Sequence, residues 1–257
     1  EMHVPIDVAK AAREEAQRLG ADACVAVGGG STIGLGKAIA LEFGLPIIAV
    51  PTTYAGSEMT PIWGLTEDGI KKTGRDNKVL PTTVVYDPTL TLTLPDFIAG
   101  PSGMNAIAHC VEAMYSETAN PIISMMAEEG VRSLARALPI VVKSPDNIEA
   151  RSDALDGAYL SGASLGAVGM ALHHKLCHTL GGTFDLPHAG VHTVVLPHAA
   201  AYNASAAPEA MAAISAALGS ANAAGGLFDL AQSIGAPTTL KALGMKEADL
   251  DRAADLA

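Results

Sequence analysis

The chain has 257 residues, of which 49% are hydrophobic and 17% charged. This composition is globular and excludes a disordered or collagen-like chain. The formal net charge of −11 disfavours nucleic acid and anionic membranes as partners, because both would repel such a surface. We find no apolar run as long as a membrane span and no signal-peptide pattern. The three cysteines have no metal-like spacing, which predicts reduced thiols and a cytoplasmic protein.

The first third of the chain alternates between helical and strand patterns. Residues 7–19 predict a surface helix. Residues 24–31 and 46–53 predict two buried strands, with a helix over residues 32–44 between them. This order predicts a parallel sheet with right-handed crossovers. Residues 60–90 predict a hairpin and one more sheet strand.

The pattern changes near residue 96, after which every convincing segment is helical in period or composition. The sequence therefore predicts an α/β domain over residues 1–95 and an all-helical domain over residues 96–257. Both ends of the chain fall within helical patterns. We therefore expect native sequence to be missing at one or both ends.

Two loops rich in small and hydroxyl residues follow the two predicted strands. GGGSTIGLGK, residues 28–37, leads into a helix whose first N–H groups and positive dipole end suit a phosphate. Its spacing is not G-x-G-x-x-G, Lys37 lacks the pattern of a Walker loop, and a tight strand-to-helix turn is the alternative. PTTYAGSE, residues 51–58, ends the next strand. Because open α/β sheets bind ligands at this edge, the two loops together predict a dinucleotide cleft.

The histidines are strongly clustered, with six of the eight inside residues 173–198. His174 and His178 share one helical face at a spacing of four, as do Asn105 and His109 on another predicted helix. Facing helices that each carry such a pair can build a metal site or an acid–base site. A lone histidine more often has no functional role, whether it is packed or exposed, but this grouping predicts a functional cluster.

Basic residues are also concentrated in one short window, where Lys71, Lys72, Arg75 and Lys78 fall within eight positions. Such a run is commonly a solvated turn. In a chain of net charge −11, however, an anionic substrate would need a local positive site. Both interpretations remain open on the residues alone.

These motifs together resemble the iron-containing alcohol dehydrogenase superfamily, which includes glycerol dehydrogenase and is related to dehydroquinate synthase. The resemblance covers about residues 6–255 and is carried by GGGSTIGLGKA, PTTYAGSEMTP, GMNAIAHCVEA and HHKLCHTLGGTFDLPHA. Within the superfamily, the chain is similar to the maleylacetate reductases. This similarity is carried by PTTYAGSEMTPIWGLTE, NPIISMMAEEG and HTVVLPHAAAYN. The resemblance implies an α/β nucleotide-binding domain, an all-helical domain after it, and an active site between the two.

The resemblance also implies a cofactor, NADH or NADPH, and the residues that would hold it. The glycine loop would bind the pyrophosphate, and the second loop would line the cleft. The positions concerned are Gly28, Gly29, Gly30, Ser31, Thr32, Thr52, Thr53 and Ser57.

One position departs from the metal-dependent members of the superfamily, which bind their ion with one Asp and three His. The matching residues here are Asn105, His109, His174 and His188, so an amide stands in the Asp position. An amide is a weaker ligand than a carboxylate for a hard divalent cation, although three imidazoles can still hold zinc. We therefore expect that no divalent metal is required.

The implied activity is reduction of the C=C bond of 2-maleylacetate to 3-oxoadipate in the degradation of aromatic compounds, in a homodimer. The resemblance and the histidine clustering point to His109, His174, His178 and His188 as catalytic residues. The two substrate carboxylates would be held by Lys71, Lys72, Arg75 or Lys175. The alternative is a metal-dependent alcohol or polyol dehydrogenase, against which Asn105 argues. The histidine cluster disfavours a non-catalytic nucleotide-binding protein.

Overall fold

The computed structural model describes residues 4–67 and 70–256, with only the backbone described at residues 70 and 71. Its five strands all lie in the first third of the described chain. They are β1 (Cys24–Gly28), β2 (Ile47–Pro51), β3 (Ile62–Glu67), β4 (Ile70–Arg75) and β5 (Thr83–Val84). Two helices accompany them, α1 (Ile6–Leu19) and α2 (Gly30–Phe43).

The remaining α-helices follow one another to the end of the described chain. They are α3 (Asp96–Tyr115), α4 (Pro121–Lys143), α5 (Ile148–Ala167), α6 (Leu172–Phe184), α7 (His188–Asn203), α8 (Pro208–Leu218), α9 (Ala223–Ser233) and α10 (Leu250–Leu256). This order agrees with the predicted change of character near residue 96. The division into two domains at that point stays a prediction.

The main sheet has the strand order β1-β2-β5, and all its pairs are parallel. Helix α2 connects β1 to β2 and packs on the sheet through Ile33 and Ala40, which contact a small core formed with Ala26, Ile47 and Ala49. The parallel strand–helix–strand prediction is therefore confirmed. Strands β3 and β4 form the predicted hairpin, a separate antiparallel pair.

The helical part is built around α3, which is buried along most of its length. Helices α4, α5 and α7 pack around it and share one large apolar core, to which Met104, Ile107 and Val111 contribute from α3. The small residues of α3, including Gly103 beside Leu138, allow this close packing. A helix surrounded in this way holds its polar side chains in fixed positions.

One stretch, Pro208–Ser233, is long and apolar enough by composition to cross a membrane, although a third of it is buried. The structure divides this stretch into α8 and α9, because Gly219 adopts a left-handed conformation with φ 63° and ends α8. Each helix of 11 residues is about 16 Å long, roughly half the thickness of a bilayer core. This stretch therefore does not form one continuous membrane-length helix.

Candidate active site

A cavity of about 330 Å³ lies between the α/β part and the helical part. Its walls on the α/β side come from the glycine loop, the second loop and the hairpin, and on the helical side from α3, α6 and α7. The polar residues that line it are Ser31, Lys37, Ser57, Thr60, Thr73, Asn105, His109, His174, His178 and His188. The structure thus brings both predicted loops together with all four histidines predicted as catalytic.

The two loops pack against each other without room for side chains on the glycines. A Cβ on Gly29 would lie 2.9 Å from Cγ2 of Thr53, and a Cβ on Gly28 would lie 2.5 Å from Oγ1 of Thr32. Gly28 also has φ 153°, a conformation that side chains disfavour. Helix α2 begins at Gly30, so its first N–H groups face the cavity edge where Ser31 lies. The loop is therefore shaped for a close approach by a phosphate.

Lys37, on α2, is a buried cavity residue that the sequence analysis did not include in the site. Its Nζ donates to the carbonyl oxygens of Ser57 (2.6 Å), Thr60 (2.8 Å) and Ile62 (2.9 Å), and to the Thr60 hydroxyl at 3.0 Å. Burial lowers the pKa of Lys37 to about 7, although the electrostatic effect of Glu58 acts to raise it. One side chain thus connects α2 to the second loop and to the start of β3.

Helix α3 has a single polar face, whose two middle residues, Asn105 and His109, line the cavity. Ser102, Asn105, His109 and Glu112 recur at intervals of three and four residues and so lie along one side of the helix. The Ser102 hydroxyl accepts a hydrogen bond at 3.0 Å from the backbone N–H of Tyr54, in the second loop. The same helix therefore anchors the second loop and carries two of the residues that line the cavity.

Glu112 is fully buried and organises the start of α6. Its carboxylate accepts from the backbone N–H groups of Ala171 (2.9 Å) and His173 (2.7 Å), and lies 2.5 Å from Nδ1 of His174. Burial alone would raise the pKa of Glu112, but the hydrogen bonds from His174 and Ala171 outweigh it and the pKa lies below its ordinary value. An ionised Glu112 only accepts, so His174 carries its proton on Nδ1 and directs the Nε2 lone pair away from Glu112.

The imidazoles form a compact cluster. The centroids of His109 and His174 are 5.3 Å apart, and those of His178 and His188 are 6.4 Å apart, with both pairs stacked. Burial, reinforced by the neighbouring imidazoles, places the pKa of His109 well below its ordinary value. His109 is therefore a neutral hydrogen-bonding group at neutral pH.

Two further histidines extend the cluster beneath the cavity wall. Both His173 and His192 are fully buried, and Nε2 of His173 lies 3.0 Å from Nδ1 of His192. Burial lowers the pKa of His173 to about 3 and that of His192 well below its ordinary value. The sequence analysis recorded both residues in the histidine group but gave neither a role. The spacing of four between His188 and His192 on α7 was the available signal.

Three of the four predicted carboxylate-binding side chains, those of Lys72, Arg75 and Lys175, do not line the main cavity. Lys72 is exposed and pairs with Glu67 at 2.6 Å, Lys175 is exposed on α6, and the Lys71 side chain falls outside the described residues. Arg75 donates to the carbonyl oxygens of Gly166 at 2.7 Å and Val168 at 3.0 Å. It also lines a second cavity of about 480 Å³, which shares Ile62, Thr73 and Met170 with the first. Their role in substrate binding stays a prediction.

The unpartnered polar atoms of the site determine which divalent cation it could hold, since a metal centre is one interpretation of the histidines. Four buried atoms in this cluster have no hydrogen-bond partner among the described residues: Oδ1 of Asn105, Nδ1 of His109, Nε2 of His174 and Nε2 of His192. Together they offer a neutral set of nitrogen and amide oxygen ligands. Such a set fits a borderline cation such as Zn²⁺ better than a hard one.

Comparisons of the sequence and of the fold with known proteins identify one and the same family. The model "Iron-containing alcohol dehydrogenase" matches residues 1–88, and "Fe-containing alcohol dehydrogenase family, C-terminal" matches residues 100–257. A relative named maleylacetate reductase, from Burkholderia cepacia, is 61% identical over 256 residues, covering 100% of this chain and 73% of the relative. The chain belongs to the iron-containing alcohol dehydrogenase family.

Solved structures of the family superpose closely on the described fold. A putative alcohol dehydrogenase from Ralstonia eutropha JMP134 is 62% identical with a TM-score of 0.98, and a maleylacetate reductase from Agrobacterium tumefaciens is 55% identical with a TM-score of 0.96. In each case the alignment covers 100% of this chain and 73% of the other. The predicted fold class, a nucleotide-binding α/β part followed by a helical part, is confirmed. So is the predicted resemblance to maleylacetate reductases.

Proposed function

We propose that this oxidoreductase reduces the C=C bond of maleylacetate to give 3-oxoadipate, with NADH or NADPH as the reductant. The observation that carries the proposal is one cavity that joins the glycine loop to a cluster of buried imidazoles. The similarity to maleylacetate reductases, at 61% identity over the chain, supports this substrate over others of the family. The proposal includes a homodimer that works in the cytoplasm in the degradation of aromatic compounds.

The cofactor is proposed to bind with its pyrophosphate on the glycine loop. The open N–H groups at the start of α2 favour an anion, and the absence of side chains at Gly28 and Gly29 allows the phosphates to approach the backbone. Thr53 and Ser57 lie on the adjoining loop, and Ser57 lines the cavity. When bound, the nicotinamide supplies a hydride, which adds to the alkene carbon β to the ketone.

The chain's own residues would stabilise the enolate that this addition creates. Electron density moves onto the ketone oxygen, which needs hydrogen-bond donors, and the α-carbon then takes a proton. The Asn105 amide can present an N–H donor to the cavity, which a carboxylate at this position could not do. His109 and His178 line the same cavity and are the proposed sources of the second donor and of the proton.

A divalent metal is proposed not to be required for turnover. If a cation is bound, His109, His174 and His188 would hold it, and it would polarise the substrate carbonyl. The alternative function, a metal-dependent alcohol or polyol dehydrogenase, depends on that polarisation. The neutral amide at Asn105, a weaker ligand than a carboxylate for a hard divalent cation, favours the metal-independent reaction.

The test is oxidation of NADH with maleylacetate by the full-length protein, before and after removal of metals with a chelator. We expect turnover that chelation leaves unchanged and that added iron or zinc does not raise. The matched assay uses simple alcohols and aldehydes with the oxidised or reduced cofactor. Activity on these substrates alone, or turnover only after metal addition, would overturn the proposal and favour the alternative.

A further inference from the structure

Three side chains with metal-ligating atoms meet beneath the cavity wall, where α6 packs on α7. His173, Cys177 and His192 are all fully buried, and their ligand atoms lie within 4.8 Å of one another. His173 and Cys177 are four residues apart and so share one face of α6, whereas His192 comes from α7. None of the three lines the cavity, and the proposed reaction uses none of them.

The distances around Nε2 of His173 match those between neighbouring ligands of one metal ion. This atom lies 3.0 Å from Nδ1 of His192 and 3.5 Å from Sγ of Cys177. In a tetrahedral zinc site, metal–nitrogen distances of about 2.0 Å and a metal–sulfur distance of about 2.3 Å place two nitrogens about 3.3 Å apart, and a nitrogen about 3.5 Å from a sulfur. Small side-chain shifts therefore suffice to bring all three atoms around one ion.

Hydrogen bonds alone do not account for this convergence. Nε2 of His173 carries either one proton or one in-plane lone pair. Both Nδ1 of His192 and Sγ of Cys177 lie within hydrogen-bond distance of it. A well-aligned hydrogen bond to one neighbour leaves the other without one. A metal ion at this place would instead bind all three atoms.

The charge around these side chains favours a divalent ion. The ionised carboxylate of Glu112 accepts a hydrogen bond at 2.7 Å from the backbone N–H of His173. When an ion binds, the thiol proton of Cys177 passes to solvent and a metal–sulfur bond takes its place. The thiolate and the Glu112 carboxylate then offset the two positive charges, so that the buried ion is compensated.

We propose that His173, Cys177 and His192 bind a thiophilic divalent cation, such as Zn²⁺ or Cd²⁺, at a site distinct from the imidazoles that line the cavity. The three ligand atoms are Nε2 of His173, Sγ of Cys177 and Nδ1 of His192. One thiolate and two imidazoles select such ions over hard ones such as Mg²⁺. Because the ligands come from both helices, the ion would hold α6 against α7 and so fix the two helices that carry three of the cavity histidines.

The experiment is a Co²⁺ titration of the metal-free, full-length protein under reducing conditions, followed by absorption. Thiolate ligation of Co²⁺ gives an intense near-ultraviolet charge-transfer band, which imidazole ligands alone do not give. We expect this band to saturate at one ion per chain and to disappear in Cys177→Ala. His192→Gln should keep the band but bind Co²⁺ about tenfold or more weakly, since loss of a ligand costs at least as much as loss of an outer-shell partner.

Two control variants separate this site from other groups. Cys110→Ala removes the other buried cysteine of the chain and should keep the charge-transfer band. His109→Gln removes one of the imidazoles that line the cavity and should keep the band as well. An ion held only at the cavity would give no thiolate band in any of these proteins.

Four results would overturn the proposal: no Co²⁺ binding, binding without a thiolate band, a band that survives in Cys177→Ala, or loss of the band in either control. If Cys177→Ala does not fold, X-ray absorption of the wild-type Zn²⁺ protein supplies the test. One sulfur at about 2.3 Å with nitrogens at about 2.0 Å would support the site, and a ligand shell without sulfur would refute it. Because every readout is metal binding, the result is independent of whether maleylacetate is the substrate.

Discussion

Glu112 shows how one buried carboxylate fixes the chemistry of a neighbouring ring. The side chain lies against the first N–H groups of α6, where the helix dipole favours a negative charge. That environment keeps Glu112 ionised, and the ionised carboxylate accepts a hydrogen bond from Nδ1–H of His174. The tautomer of His174 therefore depends on a residue that does not touch the cavity.

Replacing Glu112 with Gln tests this positioning role. The glutamine amide can accept from the α6 N–H groups, but it can also donate to His174 and so no longer selects one tautomer. We expect kcat for maleylacetate to fall by about 10- to 100-fold with little change in KM for NADH. Glu117→Gln, at an exposed position just beyond α3, is the matched control. A lower melting temperature with unchanged kcat would indicate that Glu112 serves only the fold.

At the scale of elements, α3 joins the two halves of the site. Ser102 and Glu112 are ten residues apart on one helix, which is a rise of about 15 Å. The first holds the second loop through Tyr54, and the second holds the start of α6. The distance between the proposed cofactor loop and the histidines is thus set by helix geometry.

The glycine loop offers a prediction at the same scale. Gly29→Ala would place its Cβ 2.9 Å from Cγ2 of Thr53, so the two loops must separate. We expect KM for NADH to rise by about tenfold or more, since a closely approaching phosphate loses its position. Gly182→Ala, where an added Cβ meets nothing within 4 Å among the described atoms, should leave KM unchanged.

A second substitution makes the test specific. In Gly29→Ala combined with Thr53→Ser, the contacted methyl group is gone while the hydroxyl is retained. Part of the lost NADH affinity should return. If the double variant binds NADH no better than Gly29→Ala alone, the contact with Thr53 is not the cause.

The sequence predicted the elements and part of the site for identifiable reasons. Helical periodicity and the i, i+4 spacing placed Asn105 with His109, and His174 with His178, because those relations are local. The hydrogen-bond partners of Lys37 lie 20 to 25 residues away in the sequence, and those of Glu112 lie about 60 residues away. In addition, a charged residue in a helix normally predicts an exposed position. Only tertiary packing brings Lys37 into the cavity wall and Glu112 into contact with His174.

At the scale of the whole molecule, a buried pair connects the α/β part to the helical part. Arg151 on α5 is fully buried and donates from Nη1 to the Tyr54 hydroxyl at 3.3 Å and from Nε to the Pro145 carbonyl at 3.0 Å. Its Nη2 has no partner among the described residues. Tyr54 therefore supplies one of the few acceptors available to this guanidinium.

Removing that acceptor should destabilise the protein. We expect Tyr54→Phe to lower the free energy of unfolding in urea by about 1–3 kcal/mol, because a buried charged donor loses its partner. Tyr202→Phe, at a ring that is 76% exposed, should have no measurable effect. The double variant Tyr54→Phe with Arg151→Met should recover part of the loss. Equal stability of Tyr54→Phe and the wild type would contradict the proposed link.

Trp63 in β3 is the chain's single tryptophan, and it forms part of the cavity wall, with its ring held over Gly74 of the facing strand. The tryptophan emission of these 257 residues therefore originates beside the proposed cofactor site. That emission overlaps the absorption band of a reduced nicotinamide, so energy transfer would quench it when NADH enters. The fluorescence of Trp63 is thus an optical probe for NADH binding at the proposed site.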